Sequence, residues 1–353
     1  MRIKLAILEK DQSYLSRIVS VFSTKYSDKF EIYSFTDKEM ALATVAAARI
    51  DVLVSSDAHD IDVKTLPAKC AFAYFVDSAD VDHYNDQRAI CKFQKVDLIY
   101  KQILSIYSEK ASSVSGIKLG EESAKVIAFC SPCGGVGTSC MAAAAAAYYA
   151  SKGSKTLYLN LEKLGEADAF FSGEGQFDMS DIVFALKSKK TNLPLKLESC
   201  VKQDSSGVYF YSKTKVALDM YELTTEDILR LISELTLIGT YDRIVLDLDF
   251  SMSADMLKVL RKTCCVVWVG DGSTISNSKI CRAFQALQIL EQSADAPLNN
   301  RVTLLYNKFS NKTSETVGEI GIRTVGGAPR FEHASTTQVV EQLSKMDFFE
   351  NIF

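Results

Sequence analysis

Five prolines, three histidines, one tryptophan and a formal net charge of only −4 are spread over 353 residues. So little proline beside 47% hydrophobic residues excludes a disordered or low-complexity chain. The near balance of charge removes any general pull towards nucleic acid or anionic lipid. Residues 1–118 carry 16 basic and 16 acidic side chains, which leaves 24 and 28 of the totals 40 and 44 for residues 119–353. Neither part is a basic nucleic-acid module, and no nucleic-acid partner is expected. No stretch approaches the roughly 18 continuous apolar residues of a membrane span. The first residues, MRIKLAILEKD, lack the apolar core of a secretion signal. A cytoplasmic protein without an integral membrane segment is expected, and its nine cysteines should be reduced thiols.

What the chain does have is concentrated in VIAFCSPCGGVGTSC, residues 126–140, followed by MAAAAAAYYA. Val126 to Phe129 has strand length and reads as buried. Gly134, Gly135 and Gly137 remove side chains where the backbone must turn sharply. Ser139 then opens an alanine-rich helix suited to close packing on a sheet. A strand, a glycine turn and a helix N-terminus make an anion site, because free N–H groups and the helix dipole converge on the turn. The expected anion is the phosphate tail of a nucleotide. The plain alternative is a glycine turn with no ligand. Cys130 and Cys133 have CxxC spacing with Cys140 nearby. They read either as strand and helix packing or, less in keeping with their places, as a metal or redox group.

GGVGTS resembles the deviant P-loop of the MinD/ParA group of ATPases, whose pattern is KGGxGKT. The resemblance implies that Cys133, Gly134, Gly135, Val136, Gly137, Thr138, Ser139 and Cys140 surround ATP phosphates, with Mg²⁺ held by Ser139. Both lysines of the pattern are absent, since Cys133 and Thr138 stand in their places. Loss of the second lysine resembles the TadZ/CpaE branch, which helps place Flp/Tad pilus assembly machinery at a cell pole. That branch carries a receiver-like domain before its ATPase-like domain.

The first part of the chain alternates strands and helices, which argues for a parallel sheet covered on both faces. Strands are predicted at Ile3–Leu8, Phe30–Ser34, Val52–Val54 and Ala71–Val76. Helices are predicted after the N-cap Asp11, at Lys38–Ala48, at about His83–Cys91 and at Val96–Lys110. The order resembles a response-regulator receiver. Glu9 and Asp11 flank its acidic corner, the phospho-acceptor position falls on Ser56 with Asp57 one residue late, and Lys95 matches the family lysine. After the fourth strand, Val76-Asp77-Ser78 gives no clean match. Asp57, Asp60 and Asp62 are either a solvated acidic loop or the remains of a phospho-switch. His59 and His83 have no ligand spacing around them. Ser112–Gly120, polar and glycine-containing, is the linker candidate. The expected fold class is therefore α/β, a receiver-like (flavodoxin-like) domain over 1–118 and a MinD/ParA-type P-loop domain over 119–353, both with mostly parallel sheets.

In the second part, Thr156–Asn160 is a strand. The resemblance puts an acidic pair at its end, for which this chain offers Asn160 and Glu162. An asparagine cannot act as a base. Helices are predicted at Met179–Leu186 and after Thr224, and strands at Lys196–Val201 and Val208–Tyr211. Lys187, Lys189 and Lys190 form a basic cluster that suits a solvated face better than a phosphate site. DRIVLDLDF, residues 242–250, has the Walker B form, a buried strand ending in Asp247, which would join Ser139 at the metal. Asp249 helps with water or faces solvent. A helix is predicted over Lys279–Glu291 and a strand over Arg301–Tyr306. After it come Asn307 and Lys308; the resemblance sets Asn307 against the adenine edge, whose mixed donors and acceptors an amide matches, while an ordinary turn asparagine fits equally. Gly326 to Arg330, with Pro329, resembles a loop near the base. Thr336–Phe353 has an apolar face but one lysine against three acids, which disfavours a basic membrane helix.

The function these readings imply is an ATP-binding, homodimeric localisation factor for pilus assembly, recruited to a pole or to the inner membrane face by other assembly proteins, with Asp247, Asn160 and Glu162 as candidate catalytic side chains and weak or absent hydrolysis. The alternatives are an active ParA/MinD-like positioning ATPase and a phosphorylation-controlled response regulator with a nucleotide-binding output domain.

Overall fold

The computed structural model describes residues 2–110, 124–188, 192–292, 297–318 and 320–353. The linker candidate Ser112–Gly120, Lys189 and Lys190 lie outside them. Compactness divides the chain into Met1–Ile117 with Phe184–Cys200, and Lys118–Val183 with Val201–Phe353.

The first unit contains β1 (Ile3–Leu8), α1 (Gln12–Lys25), β2 (Phe30–Phe35), α2 (Lys38–Ala48), β3 (Val52–Ser56), β4 (Ala71–Val76), β5 (His83–Tyr84), β6 (Gln87–Cys91) and α3 (Val96–Lys110). Its six-stranded sheet runs β2-β1-β3-β4-β6-β5, parallel except for the β5–β6 hairpin. This is the receiver-like order. Strand alternation divides the core between the two faces. Leu5, Ile7, Val52, Val54 and Phe75 meet Ile18 and Phe22 of α1 and Ile99 and Ile103 of α3. Ala6, Leu8, Leu53, Phe72 and Tyr74 meet Ala41 and Val45 of α2 on the other side. Asp11 caps α1 by accepting from Ser13 N and Tyr14 N at 2.8 and 3.1 Å.

The helix expected over His83–Cys91 is instead the β5–β6 hairpin. Asn85 and Asp86 at its tip both take the left-handed conformation (φ 49° and 58°), which is the backbone of a tight hairpin turn.

The rest of the chain adds β7 (Lys125–Cys130), α4 (Thr138–Ser151), β8 (Thr156–Asn160), α5 (Met179–Ser188), α6 (Leu193–Cys200), β9 (Lys202–Gln203), β10 (Tyr209–Phe210), α7 (Leu218–Glu222), α8 (Thr225–Ile238), β11 (Arg243–Asp247), α9 (Ala254–Leu260), β12 (Cys265–Gly270), α10 (Thr274–Leu290), β13 (Val302–Phe309), β14 (Arg323–Pro329) and α11 (Thr336–Leu343). The strand expected over Lys196–Val201 is the helix α6, and it belongs to the first unit. Of its buried positions, Leu193, Lys196, Leu197 and Cys200 are spaced i, i+3, i+4, i+7 as one helical face, with Ser199 buried beside them. That face packs on α3. Lys196 Nζ donates to Ser105 Oγ at 2.9 Å, and Glu198 accepts from Tyr100 OH at 2.7 Å and from Lys29 at 2.9 Å.

The second unit holds an eight-stranded sheet in the order β14-β13-β12-β7-β11-β8-β10-β9, parallel except at β9–β10. The glycine-turn strand β7 lies between β11 and β12, in keeping with the P-loop fold expected from the sequence. Ala142 to Ala146 of α4 are wholly buried, so the alanine run lets the helix lie close on the sheet. The C-terminal residues pack back on the same unit: Tyr149 OH donates to Phe349 O at 3.0 Å and Tyr148 OH to Glu350 at 2.6 Å. Among the described residues no helix is long and apolar enough to cross a membrane.

Candidate functional site

Parallel pairing brings the carboxyl ends of β7, β8 and β11 level. Asp247 of β11 is opposite Phe129 on one side and Asn160 on the other. The glycine turn rises from the end of β7. Gly135 and Gly137 take φ of 77° and 86°, a region that side chains rarely adopt. Gly137 is glycine for a second reason: a Cβ there would lie 2.5 Å from Asn307 Nδ2.

Ser131 ties the start of the turn down, donating to Val269 O at 2.5 Å and accepting from Cys133 N at 2.9 Å. The Cys133 side chain is buried and lies 3.4 Å from Ser276 Oγ at the start of α10. It therefore points into the unit, and Cys130 is likewise a buried strand residue. Among the described residues no group of three or more His, Cys, Asp or Glu side chains is placed to hold a metal ion.

Beside the turn is a connected polar cluster. Ser139 Oγ donates to Glu162 Oε2 at 3.2 Å. Asn160 Nδ2 faces Glu162 Oε2, Tyr158 OH and Asp247 Oδ2 at 3.1–3.2 Å. Tyr158 OH donates to Asp247 Oδ2 at 2.7 Å. Asp247 is fully buried, and its Oδ1 has no hydrogen-bond partner. Burial, reinforced by the negative charge of Glu162 and opposed by the Tyr158 hydroxyl, pushes its carboxyl up to about 8. Gly165 completes the packing, since a Cβ there would fall 1.9 Å from Asn160 Oδ1. Asp249 is exposed and accepts from Lys163 N at 2.8 Å, so it holds the loop after β8.

The orphaned Asp247 oxygen and the hard oxygens of Ser139 and Glu162 suit a magnesium ion, which takes few protein ligands and completes its shell with water and phosphate. Tyr158 is a member of this cluster that the sequence reading passed over. Its only signal is an aromatic hydroxyl inside the otherwise apolar strand TLYLN, and a buried hydroxyl needs a partner.

Asn307 and Lys308 reach the turn from the end of β13. Asn307 Nδ2 donates to Val136 O at 2.8 Å and its Oδ1 accepts from Lys308 N at 2.9 Å. Lys308 Nζ donates to Gly135 O at 2.7 Å. Both polar atoms of the Asn307 amide are thus engaged within the unit. Pro329 does not lie on a loop. It ends the strand β14, paired with Phe309. A cavity of about 250 Å³ adjoins Asn160 and Glu162 and is also lined by Gly165, Met179, Ser212 and Met220.

The first unit has its own charged pocket, at the carboxyl ends of β1, β3, β4 and β6. Glu9 is 2% exposed, and its Oε2 has no hydrogen bond. Lys92 follows β6 and places Nζ 3.6 Å from that oxygen and 2.7 Å from Asp77 Oδ1. The pocket lysine is therefore Lys92, not Lys95, which instead starts α3 by offering its carbonyl to Leu98 and Ile99. The displacement follows from the missed strand β6. Ser56 ends β3 and is buried, Asp57 beside it is exposed, and the Ser56 hydroxyl lies 3.4 Å from Asp57 Oδ1. The hydroxyl of Ser13 and the N–H groups it caps hold the exposed Asp11 carboxyl below its usual range.

Residues 1–108 match the family described as TadZ-like, receiver domain. No curated protein matches the chain. Among solved structures the chain is similar to a ParA family ATPase from Chlorobium tepidum, with 22% identity and a TM-score of 0.49 over 65% of this chain and 96% of that one. It is also similar to the septum site-determining protein MinD of Pyrococcus horikoshii complexed with Mg-ADP (13%, 0.48, 63% and 95%). A plasmid partition protein from Borrelia burgdorferi is a third (18%, 0.46, 64% and 97%).

Proposed function

We propose that the second unit binds ATP with magnesium and that the protein acts as a nucleotide-dependent positioning factor of the ParA/MinD kind. The observation that carries this reading is the buried Asp247 with an unpartnered oxygen beside a glycine turn. A buried carboxylate without a counter-charge is costly, and a site that accepts a cation together with an anion relieves it. Ser139, Asp247 and Glu162 would hold the ion, which supplies positive charge against the phosphates. The turn would bind the phosphate tail through its backbone N–H groups.

The same geometry argues for slow hydrolysis. Thr138 offers a hydroxyl where a cation would neutralise developing charge. Cys133 is buried against Ser276 and brings no cation to the turn. Asn160 cannot take a proton, and Glu162 is already engaged by Ser139 and Asn160. The finer reading, a homodimeric localisation factor for Flp/Tad pilus assembly recruited through other assembly proteins, is supported by the family match over residues 1–108.

Calorimetric titration with ATP, with and without magnesium, combined with mass measurement in solution and product analysis, tests the reading. Magnesium-dependent binding, an ATP-induced dimer and turnover far below the common range of about 1–10³ s⁻¹ are expected. Turnover within that range, lost in Asp247→Ala, would replace it with an active positioning ATPase. Absence of ATP binding would remove it altogether.

A further inference from the structure

The turn at 134–139 has no lysine of its own, yet a lysine touches it. Lys308 Nζ donates to Gly135 O at 2.7 Å while Asn307 Nδ2 donates to Val136 O at 2.8 Å. Lys308 makes this contact from a left-handed backbone conformation, φ 56°, which costs a lysine some strain. The Asn307 side chain holds that kink by accepting the Lys308 N–H at 2.9 Å. Two adjacent residues of β13 thus clasp two adjacent carbonyls of the turn.

The consequence lies in the peptide planes. In a trans peptide the carbonyl and the following N–H point in opposite directions, and the chain contains no cis peptide. Gly135 O therefore sets the direction of Val136 N–H, and Val136 O sets that of Gly137 N–H. Holding both carbonyls towards β13 turns both N–H groups the other way. Neither N–H has a protein acceptor among the described residues. A cation on a carbonyl oxygen also polarises its peptide and strengthens the N–H on the far side as a donor.

We infer that Lys308 is a positioning residue for phosphate. Acting through the Gly135 carbonyl, it presets and polarises the Val136 and Gly137 N–H groups to receive the phosphate tail of a nucleoside di- or triphosphate. The turn that lost its own cation is served by one on a neighbouring strand, which touches the peptide and not the phosphate. This role rests on the nucleotide-binding reading above and differs from a contact with the base.

The test is titration of the full-length protein, Lys308→Met and Lys308→Arg with ATP, inorganic tripolyphosphate and adenosine. Because Lys308 is exposed, the expected loss is moderate. Lys308→Met should bind ATP and tripolyphosphate about five- to tenfold more weakly, leave adenosine unchanged and melt at the wild-type temperature, and Lys308→Arg should recover most of the affinity. Should the Met variant melt early, Lys308→Gln carries the same comparison. Unchanged tripolyphosphate binding in the folded variant overturns the role of Lys308 and leaves the nucleotide reading standing. An equal loss for adenosine overturns it in favour of a base contact, and failure of the arginine to rescue overturns the charge argument. A wild-type protein that binds neither ATP nor tripolyphosphate overturns the nucleotide reading and this inference together.

Discussion

Each unit places acids at the carboxyl ends of its parallel strands, and the two treat the resulting charge in opposite ways. In the first, Glu9 and Asp77 have Lys92 between them, an ammonium supplied by the chain itself. In the second, the side chains hydrogen-bonded to Asp247 and Glu162 among the described residues, Ser139, Tyr158 and Asn160, are neutral. The first pocket thus supplies its buried acid with a counter-charge from the chain itself. The second is left with an acid raised to about 8 and gains from a ligand that brings a cation. On the proposed function, the ligand response falls to the second unit, and the Lys92 ion pairs of the first are structural contacts.

The largest effect that would break this contrast is at Asp247. Asp247→Asn keeps the shape and removes the buried acid. It should stabilise the ligand-free protein at about pH 8 by roughly 2–4 kcal/mol and abolish magnesium-dependent nucleotide binding; thermal melting and titration check the two halves. The sign follows from proton counting. Between the ordinary carboxylate range and about pH 8, folded Asp247 keeps a proton that the unfolded chain releases. Its contribution is fully present at low pH and is lost as pH rises towards about 8. Melting curves of the wild type across that window should show this decline, and those of Asp247→Asn should lack it. A wild-type profile that rises with pH and is unchanged by the substitution would mean that the acid is not uncompensated.

A smaller effect, of opposite sign, is expected at Lys92. Lys92→Met leaves Glu9 buried with no counter-charge and should destabilise the first unit by about 2 kcal/mol, read by hydrogen exchange in peptides from residues 2–110. If instead magnesium alone restores that protection, Lys92 was occupying a latent cation site. The smallest effect belongs to Asp57. It is exposed, so Asp57→Asn should change stability by less than about 0.5 kcal/mol, and incubation with a small phosphodonor should add no stable mass to the wild type. A stable phosphoryl adduct that Asp57→Asn abolishes would revive the response-regulator alternative.

The second site was more legible in the sequence than the first, and the reason is local. A glycine turn and a strand-terminal aspartate are written in contiguous residues, so GGVGTS and DRIVLDLDF point to their places directly. The receiver pocket is assembled from four strand ends, so one misassigned strand moves its lysine by three positions, from Lys95 to Lys92. The signal was present as Asn85-Asp86, two residue types that tolerate the left-handed backbone of a hairpin turn. Helix α6 failed for a different reason. The strand expected from Lys196 left out Leu193, which completes the helical spacing of Lys196, Leu197 and Cys200. That set is defined by packing on α3, a contact between segments distant in sequence. Tyr158 and the Lys308 clasp were illegible because their roles depend on what stands opposite them in the fold.

The burial of Cys133 against Ser276 has a bearing on how such a chain can change over time. A lysine placed at 133 would find its space filled by the first turn of α10, where Ser276 lies against the Cys133 thiol. Cys133→Lys should therefore perturb the packing at the start of α10 and not by itself bring rapid turnover to the proposed nucleotide site. On the proposed function, rapid turnover is therefore out of reach of a single substitution at 133: the first turn of α10 would have to move as well.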